Sequence, residues 1–357
     1  MKILILFTND GLALNVIRCL APLGIECYMF GEGEIVSVRL SKHCRECLPF
    51  KFNRQNPTQE SIDAINAYCK DKGIECILPV DVDVIVFLTK IKDRLANGVK
   101  TIPLADADLL ETLDDKWEFT KLLQKLQLPV PRTFCANNLE ELKAIDIAFP
   151  CALKPVRGRG RWLTGGNAAD YIMKDREAFL AAGRDPKVFP LLIQEFIPGD
   201  DVGLSILASG GKVIAHTIKK WVSSDRIELI DSPALVELGQ KMVTATGFEG
   251  IADFDLRIDK RDGIFKFFEC NPRFWGSLRA SFWDGLNFPE MAINAGMGKP
   301  VKAAASRGIS FVLPSKILPR LFKADLGALN GLPDSTRKDL WQLISDPVSC
   351  LYSAINR

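Results

Sequence analysis

The sequence predicts an α/β protein in which a parallel sheet with helices on both faces precedes a second domain of mixed α and β character. Three observations carry that expectation. Apolar runs alternate with helical patterns over roughly the first 105 residues. A helix-stop, strand-start junction, Gly24-Ile25-Glu26-Cys27, recurs as Gly73-Ile74-Glu75-Cys76. Beyond Leu128-Pro129-Val130-Pro131 the rhythm changes to strand pairs with turn signals. Strands separated by helices pair in parallel, because a crossover of that length returns the chain to the same end of the sheet.

Residues 2–7, 25–30, 74–80 and 99–104 are short apolar runs and are expected to be strands. Helical periodicity spans about 11–22, 58–71 and 83–96, with Gly24, Gly73 and Gly98 just beyond the ends, where a left-handed cap residue belongs. The first turn, Thr8-Asn9-Asp10-Gly11, carries one glycine, and Gly31-Glu32-Gly33 lacks a third. That spacing disfavours a dinucleotide site, which needs three glycines around a pyrophosphate. A helix over roughly 108–126 is stopped by the proline pair that follows. The expected division is therefore 1–105, 106–300 and a C-terminal helical appendage, 301–357, that carries no constellation of chemical groups.

Composition narrows the function. Of 357 residues, 47% are hydrophobic and 25% charged, the balance of a chain that can bury a large core. Because 46 basic residues meet 44 acidic ones, no chain-wide field holds a polyanion, and nucleic acid is not an expected partner. The N-terminal apolar run stops at Thr8-Asn9-Asp10, too early for a secretory core. No stretch approaches the ~18 apolar residues of a membrane span, so no membrane partner is expected and the expected location is the cytoplasm. Ten scattered cysteines then read as reduced thiols. His43, Cys44 and Cys47 lack a fourth ligand for zinc. The oligomeric state, a homo-oligomer included, is open.

The segment Ile251 to Asn271 carries the most chemistry. It alternates, with Phe254, Leu256 and Ile258 on one face and Asp253, Asp255, Arg257 and Asp259 on the other, and Asp262-Gly263 signals a hairpin turn. A turn centred on Asp262 sets Asp255 opposite Glu269 and Asp253 opposite Asn271. Two carboxylates that close repel unless a cation lies between them, and Mg²⁺ takes one or two carboxylates together with substrate phosphates. Asn271 adds a neutral oxygen, and Arg273 a guanidinium for phosphate charge.

Asp255 followed by Glu269-Cys270-Asn271-Pro272-Arg273 resembles the metal-binding signature of the ATP-grasp superfamily, whose members include carbamoyl-phosphate synthase, biotin carboxylase and D-alanine–D-alanine ligase. Other segments are similar in the family's order over about residues 106–300. Asp115-Lys116 resembles the first ATP-phosphate lysine, and Ala152-Leu153-Lys154-Pro155 the strand with the second. Gln194-Glu195-Phe196-Ile197-Pro198-Gly199 resembles the adenine hinge, with backbone groups of Phe196 and Ile197 as contacts, and Asp201 stands where the family binds the ribose hydroxyls.

The resemblance implies an N-terminal Rossmann-like domain followed by a two-subdomain ATP-grasp fold. It implies Mg²⁺, two ions in the family's pattern and replaceable by Mn²⁺, held by Asp255, Glu269 and Asn271. It implies an enzyme that activates a small carboxylate as an acyl phosphate and couples it to an amine, releasing ADP and phosphate. The nearest alternatives are a bicarbonate-activating or carbamoyl-phosphate type of reaction, or a nucleotide-binding protein without turnover.

Between Lys154 and the hinge, Arg157, Gly158, Arg159, Gly160, Arg161 and Trp162 stand where the family has a glycine-rich lid of small residues. Glycines let backbone amides close on phosphate, and Arg157, Gly158 and Gly160 are expected to bind ATP. The extra arginines suggest that one of Arg157, Arg159 and Arg161 also meets an anionic carboxylate substrate able to stack on Trp162. Lys219, beside His216, and Arg279, six residues beyond Arg273, are further catalytic candidates.

Overall fold

The computed structural model describes residues 1–158, 172–302 and 306–355. By contacts the chain divides into two units: residues 1–110, 203–253 and 271–357 form the first, and residues 111–202 and 254–270 the second. This division interleaves along the chain, whereas the expected domains follow sequence order.

The first unit opens on a parallel sheet. Its strands are β1 (Lys2–Phe7), β2 (Glu26–Gly31), β3 (Cys44–Pro49), β4 (Cys76–Pro79) and β5 (Lys100–Thr101), ordered β3-β2-β1-β4-β5. Helices Asp10–Leu20, Gln59–Lys72 and Val82–Ile91 connect them. Ile3, Ile5 and Phe7 face one apolar cluster and Leu4 and Leu6 the other, which explains an unbroken apolar run in the sequence. Gly73, at φ 68°, caps its helix as expected. The helix expected over 83–96 instead ends at Ile91, before a single 3₁₀ turn. β3 escapes sequence reading because it is an edge strand: Cys44-Arg45-Glu46 leaves little apolar signal.

The second unit holds an antiparallel sheet of β6 (Thr133–Ala136), β7 (Cys151–Pro155), β8 (Ile172–Met173) and β9 (Leu191–Glu195), ordered β6-β9-β7-β8. Leu153, Leu191 and Ile193 bury one face of this sheet against Leu142 and Phe179. The expected helix 108–126 is two helices, Ala107–Asp114 and Lys116–Lys125. Asp115 separates them as an N-cap, accepting from the amides of Trp117 and Glu118.

Three long strands run through both units: β10 (Gly199–Ser209), β13 (Gly250–Asp259) and β14 (Phe265–Asn271). In the first unit β10 and the start of β13 continue a sheet with β11 (Lys212–Trp221), β12 (Arg226–Ile230) and β15 (Ser310–Val312), ordered β13-β10-β11-β12-β15. In the second unit β13 and β14 form the expected hairpin, whose turn closes with the Gly263 amide on the Asp259 carbonyl at 2.7 Å. Its apolar face, Phe254 and Phe267, packs edge to face at 5.8 Å, and Phe119 joins them. Gly199 is obligatory at the start of β10, since a Cβ there would lie 1.8 Å from the Ile258 carbonyl oxygen.

The C-terminal segment is more than helical. β15 pairs with β12, and helices Asp334–Ile344 and Pro347–Ile355 return to the N-terminal sheet's own helices. Buried Asp346 accepts from Arg18, Ser41 Oγ and the Lys42 amide.

Candidate functional site

The second unit assembles most of the expected nucleotide residues. Capping by Asp115 starts the helix at Lys116, whose buried side chain sends Nζ to the Gly158 carbonyl at 3.1 Å and to within 3.6 Å of Glu269 Oε2. The Lys116 amide donates to Val156, tying this helix to the segment after β7. Lys154 projects from β7, where Nζ donates to Gln194 Oε1 at 3.0 Å and lies 4.7 Å from the Phe268 ring centroid.

Desolvation pushes the Lys154 ammonium down to about 8, helped by the neighbouring charges of Lys116 and Arg257 and opposed by Glu269 and Asp255. One ammonium therefore feels both carboxylates of the expected metal pair. Two lysines and two acids converge in one unit, a donor set of the kind that holds a divalent ion together with phosphates. Among the described residues no group of three or more His, Cys, Asp and Glu is placed to hold a metal. Phosphate oxygens would have to complete the coordination here.

The hinge residues have partners of their own. Gln194 is buried, and its amide spans from Lys154 to Thr133 Oγ1, so its side chain positions the lysine. Glu195 accepts from Arg261 at 2.7 Å and from the Arg132 amide at 3.2 Å. Phe196 and Ile197 are met by a residue that sequence reading left without a role. Arg257 lies with its guanidinium 5.5 Å from the Phe196 ring centroid and donates to the Ile197 carbonyl at 2.9 Å. The same guanidinium grips Asp201, with Nε to Oδ1 at 2.5 Å and a terminal nitrogen to Oδ2 at 3.2 Å. Its place on the polar face of β13 was legible, but its partners, more than fifty residues away, were not.

Arg157 has protein partners that its position after β7 did not announce. Its guanidinium is engaged by Glu111 Oε2 at 3.0 Å and Asp115 Oδ2 at 3.1 Å, so it braces the two helices around Asp115. Gly158 adopts φ 69°, a conformation only glycine takes freely. Gly160, Arg159, Arg161 and Trp162 lie outside the described residues.

Asn271, Arg273, Lys219 and Arg279 belong to the first unit. Arg273 donates to Asn271 Oδ1 and to the Phe274 carbonyl, each at 2.7 Å, so the guanidinium and the amide oxygen hold one another in place. The loop after them docks on the N-terminal sheet through the Phe274 amide to the Val80 carbonyl at 3.3 Å and Asn15 to the Gly276 carbonyl at 3.2 Å. Lys219 is buried rather than lining an open cleft. Nζ donates to both oxygens of Asp253 at 2.7 and 2.9 Å, Ser205 Oγ donates to the same carboxylate at 2.6 Å, and the Trp275 ring lies 5.9 Å away. Arg279 is a correction. It is 3% exposed, and Nε donates to Asp339 Oδ1 at 2.7 Å, a carboxylate that also accepts from Trp283. A guanidinium committed in this way ties the C-terminal helices to the helix Leu278–Trp283 and is not available to a phosphate.

The parallel sheet's first turn is filled by the chain itself. Asp81, just past β4, accepts from the Thr8 amide and hydroxyl, both at 2.7 Å, and from the Asn9 amide at 3.0 Å. Burial pushes this carboxyl up while those donors pull it down. An internal carboxylate occupies the amides at the switch point between β1 and β4, where open α/β sheets otherwise receive phosphate. This agrees with the missing glycine fingerprint.

A family model described as ATP-grasp in the biosynthetic pathway with Ter operon matches residues 187–312. The chain is 27% identical over 216 residues to a D-aspartate ligase of Enterococcus faecium, a match covering 52% of this chain and 49% of that protein. It thus spans about half the length of this relative. Among solved structures, an L-amino acid ligase from Bacillus licheniformis superposes with TM-score 0.60 at 17% identity, covering 83% of this chain and 74% of that one. The biotin carboxylase domain of a Hydrogenobacter thermophilus 2-oxoglutarate carboxylase, solved with MgADP and bicarbonate, gives TM-score 0.62 at 20% identity over 84% of this chain and 70% of that one. Both solved structures share the fold, and the family-model match falls on the segment that contains Asp255, Glu269 and Asn271.

Proposed function

We propose that this chain is a member of the ATP-grasp superfamily and an ADP-forming ligase that activates a small carboxylate with ATP and couples it to an amine. The convergence of Lys116, Lys154, Asp255 and Glu269 within one unit carries the reading. In it, Lys116 and Lys154 bind and orient the triphosphate, and Phe196, Ile197 and Asp201 hold the nucleoside. Asp255 and Glu269 would hold Mg²⁺, whose chemistry, when bound, is to neutralise the triphosphate and draw charge from the transferring phosphoryl group. The substrate carboxylate attacks the γ-phosphorus, the bond to the bridging oxygen breaks, and ADP leaves. Arg273, held by Asn271 Oδ1, has the fixed guanidinium that the charge of an acyl phosphate calls for. The amine then attacks the acyl carbon, phosphate departs with the bonding pair, and the amine gives up a proton. No side-chain nucleophile takes part.

An amino-acid acceptor or donor is the first class to try, because both the D-aspartate ligase and the L-amino acid ligase are named for such substrates. The test incubates the full chain with ATP, Mg²⁺ and pairwise panels of amino acids and small carboxylates, following ADP, AMP, phosphate and amide product. ADP and phosphate released in step with an amide are expected. AMP and pyrophosphate would refute the acyl-phosphate route, and ATP-independent behaviour across the panel would refute the ligase reading.

A further inference from the structure

The geometry points to Arg257 as a positioning residue that sets nucleoside specificity, by holding the Asp201 carboxylate in the orientation that receives the ribose hydroxyls. This rests on the ATP-ligase reading and goes beyond it, since neither the metal pair nor the lysines require an arginine at this place.

The argument starts from what Asp201 would do alone. Its side chain is 54% exposed, at the start of a strand. An exposed carboxylate samples several rotamers, and fixing it on ribose would cost side-chain entropy at the moment of binding. Arg257 removes most of that freedom. Its guanidinium meets both carboxylate oxygens, through Nε at 2.5 Å and a terminal nitrogen at 3.2 Å. A two-pronged contact of this kind fixes the plane as well as the position of a carboxylate. Each carboxylate oxygen has two acceptor directions, so lone pairs remain for hydroxyl donors.

The arginine is itself fixed. Its remaining terminal nitrogen donates to the Ile197 carbonyl at 2.9 Å, and its plane lies by the Phe196 ring at 5.5 Å. The arginine side chain is 25% exposed, against 54% for its partner. Along β13, Arg257 lies two residues from Asp255 and so on the same face of the strand. One guanidinium thus joins hinge, ribose carboxylate and metal-binding strand. Lysine could supply the charge but not the planar fork.

The experiment measures equilibrium binding of ATP and of 2′,3′-dideoxy-ATP, each with Mg²⁺, to the full chain and to Arg257→Met, Arg257→Lys and Asp201→Asn. The parent chain is expected to prefer ATP by about tenfold or more, the scale of hydrogen bonds to a charged acceptor. In Arg257→Met that preference should fall to within about threefold, chiefly through weaker ATP binding, with dideoxy-ATP little changed. Arg257→Lys should behave the same way, because the fork is lost although the charge stays, and it serves in place of the methionine variant if that one fails to fold. Asp201→Asn should also lose the preference, and combining it with Arg257→Met should remove no more. A preference retained in both Arg257 variants, or equal weakening of both nucleotides, would overturn the inference and leave the ligase reading standing. A parent chain that binds neither nucleotide would instead refute the ligase reading itself.

Discussion

If Lys154 binds the triphosphate as proposed, ATP affinity should depend on pH in a direction the site determines. Desolvation places its ammonium at about 8, against an ordinary 10.5, and only the protonated form neutralises phosphate. In the free protein the competent fraction falls as pH rises through that value, whereas bound triphosphate restores the proton. Apparent Kd should therefore scale as one plus ten to the power of pH minus about 8, a rise of about elevenfold at pH 9 and only about 1.1-fold at pH 7. Binding at pH 8 should take up about half a proton. Phosphate monoesters lose their second proton near pH ~6, below this window. Calorimetric titration with a non-hydrolysable ATP analogue and Mg²⁺ at pH 8, in two buffers of different ionisation enthalpy, reads the proton directly. Lys154→Met should bind more weakly and show neither uptake nor a slope. Zero uptake by the parent chain, together with an unchanged Kd from pH 7 to 9, would refute the assignment.

The same displacement has an opposite sign for folding. A lysine lowered from 10.5 to about 8 leaves the unfolded chain holding more protons between those values, so its contribution to stability rises with pH through that window. Lys154→Met should melt at a higher temperature than the parent at pH 7, and differ less at pH 10. Glu269→Gln removes a charge facing Lys116 and the expected metal, and turnover should fall by about 10²-fold or more in saturating Mg²⁺, as for loss of one preorganised electrostatic group. Near-normal activity would remove Glu269 from the site. Asp339→Ala strands the buried Arg279 guanidinium and should cost about 3–5 kcal/mol in denaturant unfolding, with Asp339→Asn costing less because an acceptor for Trp283 stays. Lys219→Met should destabilise by a similar amount, and adding Asp253→Asn should recover part of the loss, since the pair is buried.

Local order was legible in the sequence where periodicity was strong. β1, the cap at Gly73 and the alternating face of β13 follow from residues within one element. Ordered motifs also brought Lys116, Lys154, Asp255 and Glu269 forward before any geometry was known. What escaped were partnerships across long stretches of chain. Arg279 reads as an active-site arginine by its closeness to Arg273, yet its carboxylate comes from Asp339, sixty residues on. Gln194 reads as part of the hinge, but its neighbours across β6 and β7 turn its amide toward Lys154. Arg157 shows the same limit, for the carboxylates of Glu111 and Asp115 that engage it lie more than forty residues back in the chain. Interleaving of the two units along the chain makes such distant pairings frequent.

Arg18 meets Asp346 across 328 residues of sequence, and both are buried. At the ~5–20 residues per second of synthesis, the carboxylate leaves the ribosome roughly 16–66 seconds after the arginine. Throughout that interval the helix Asp10–Leu20 has to keep a charged side chain in water at a position that later becomes interior. The first sheet emerges early but acquires this cover only after some 328 further residues have been made. Nascent chains arrested before Asp346 should consequently be cut more readily by protease near Arg18 than chains arrested past Ile355.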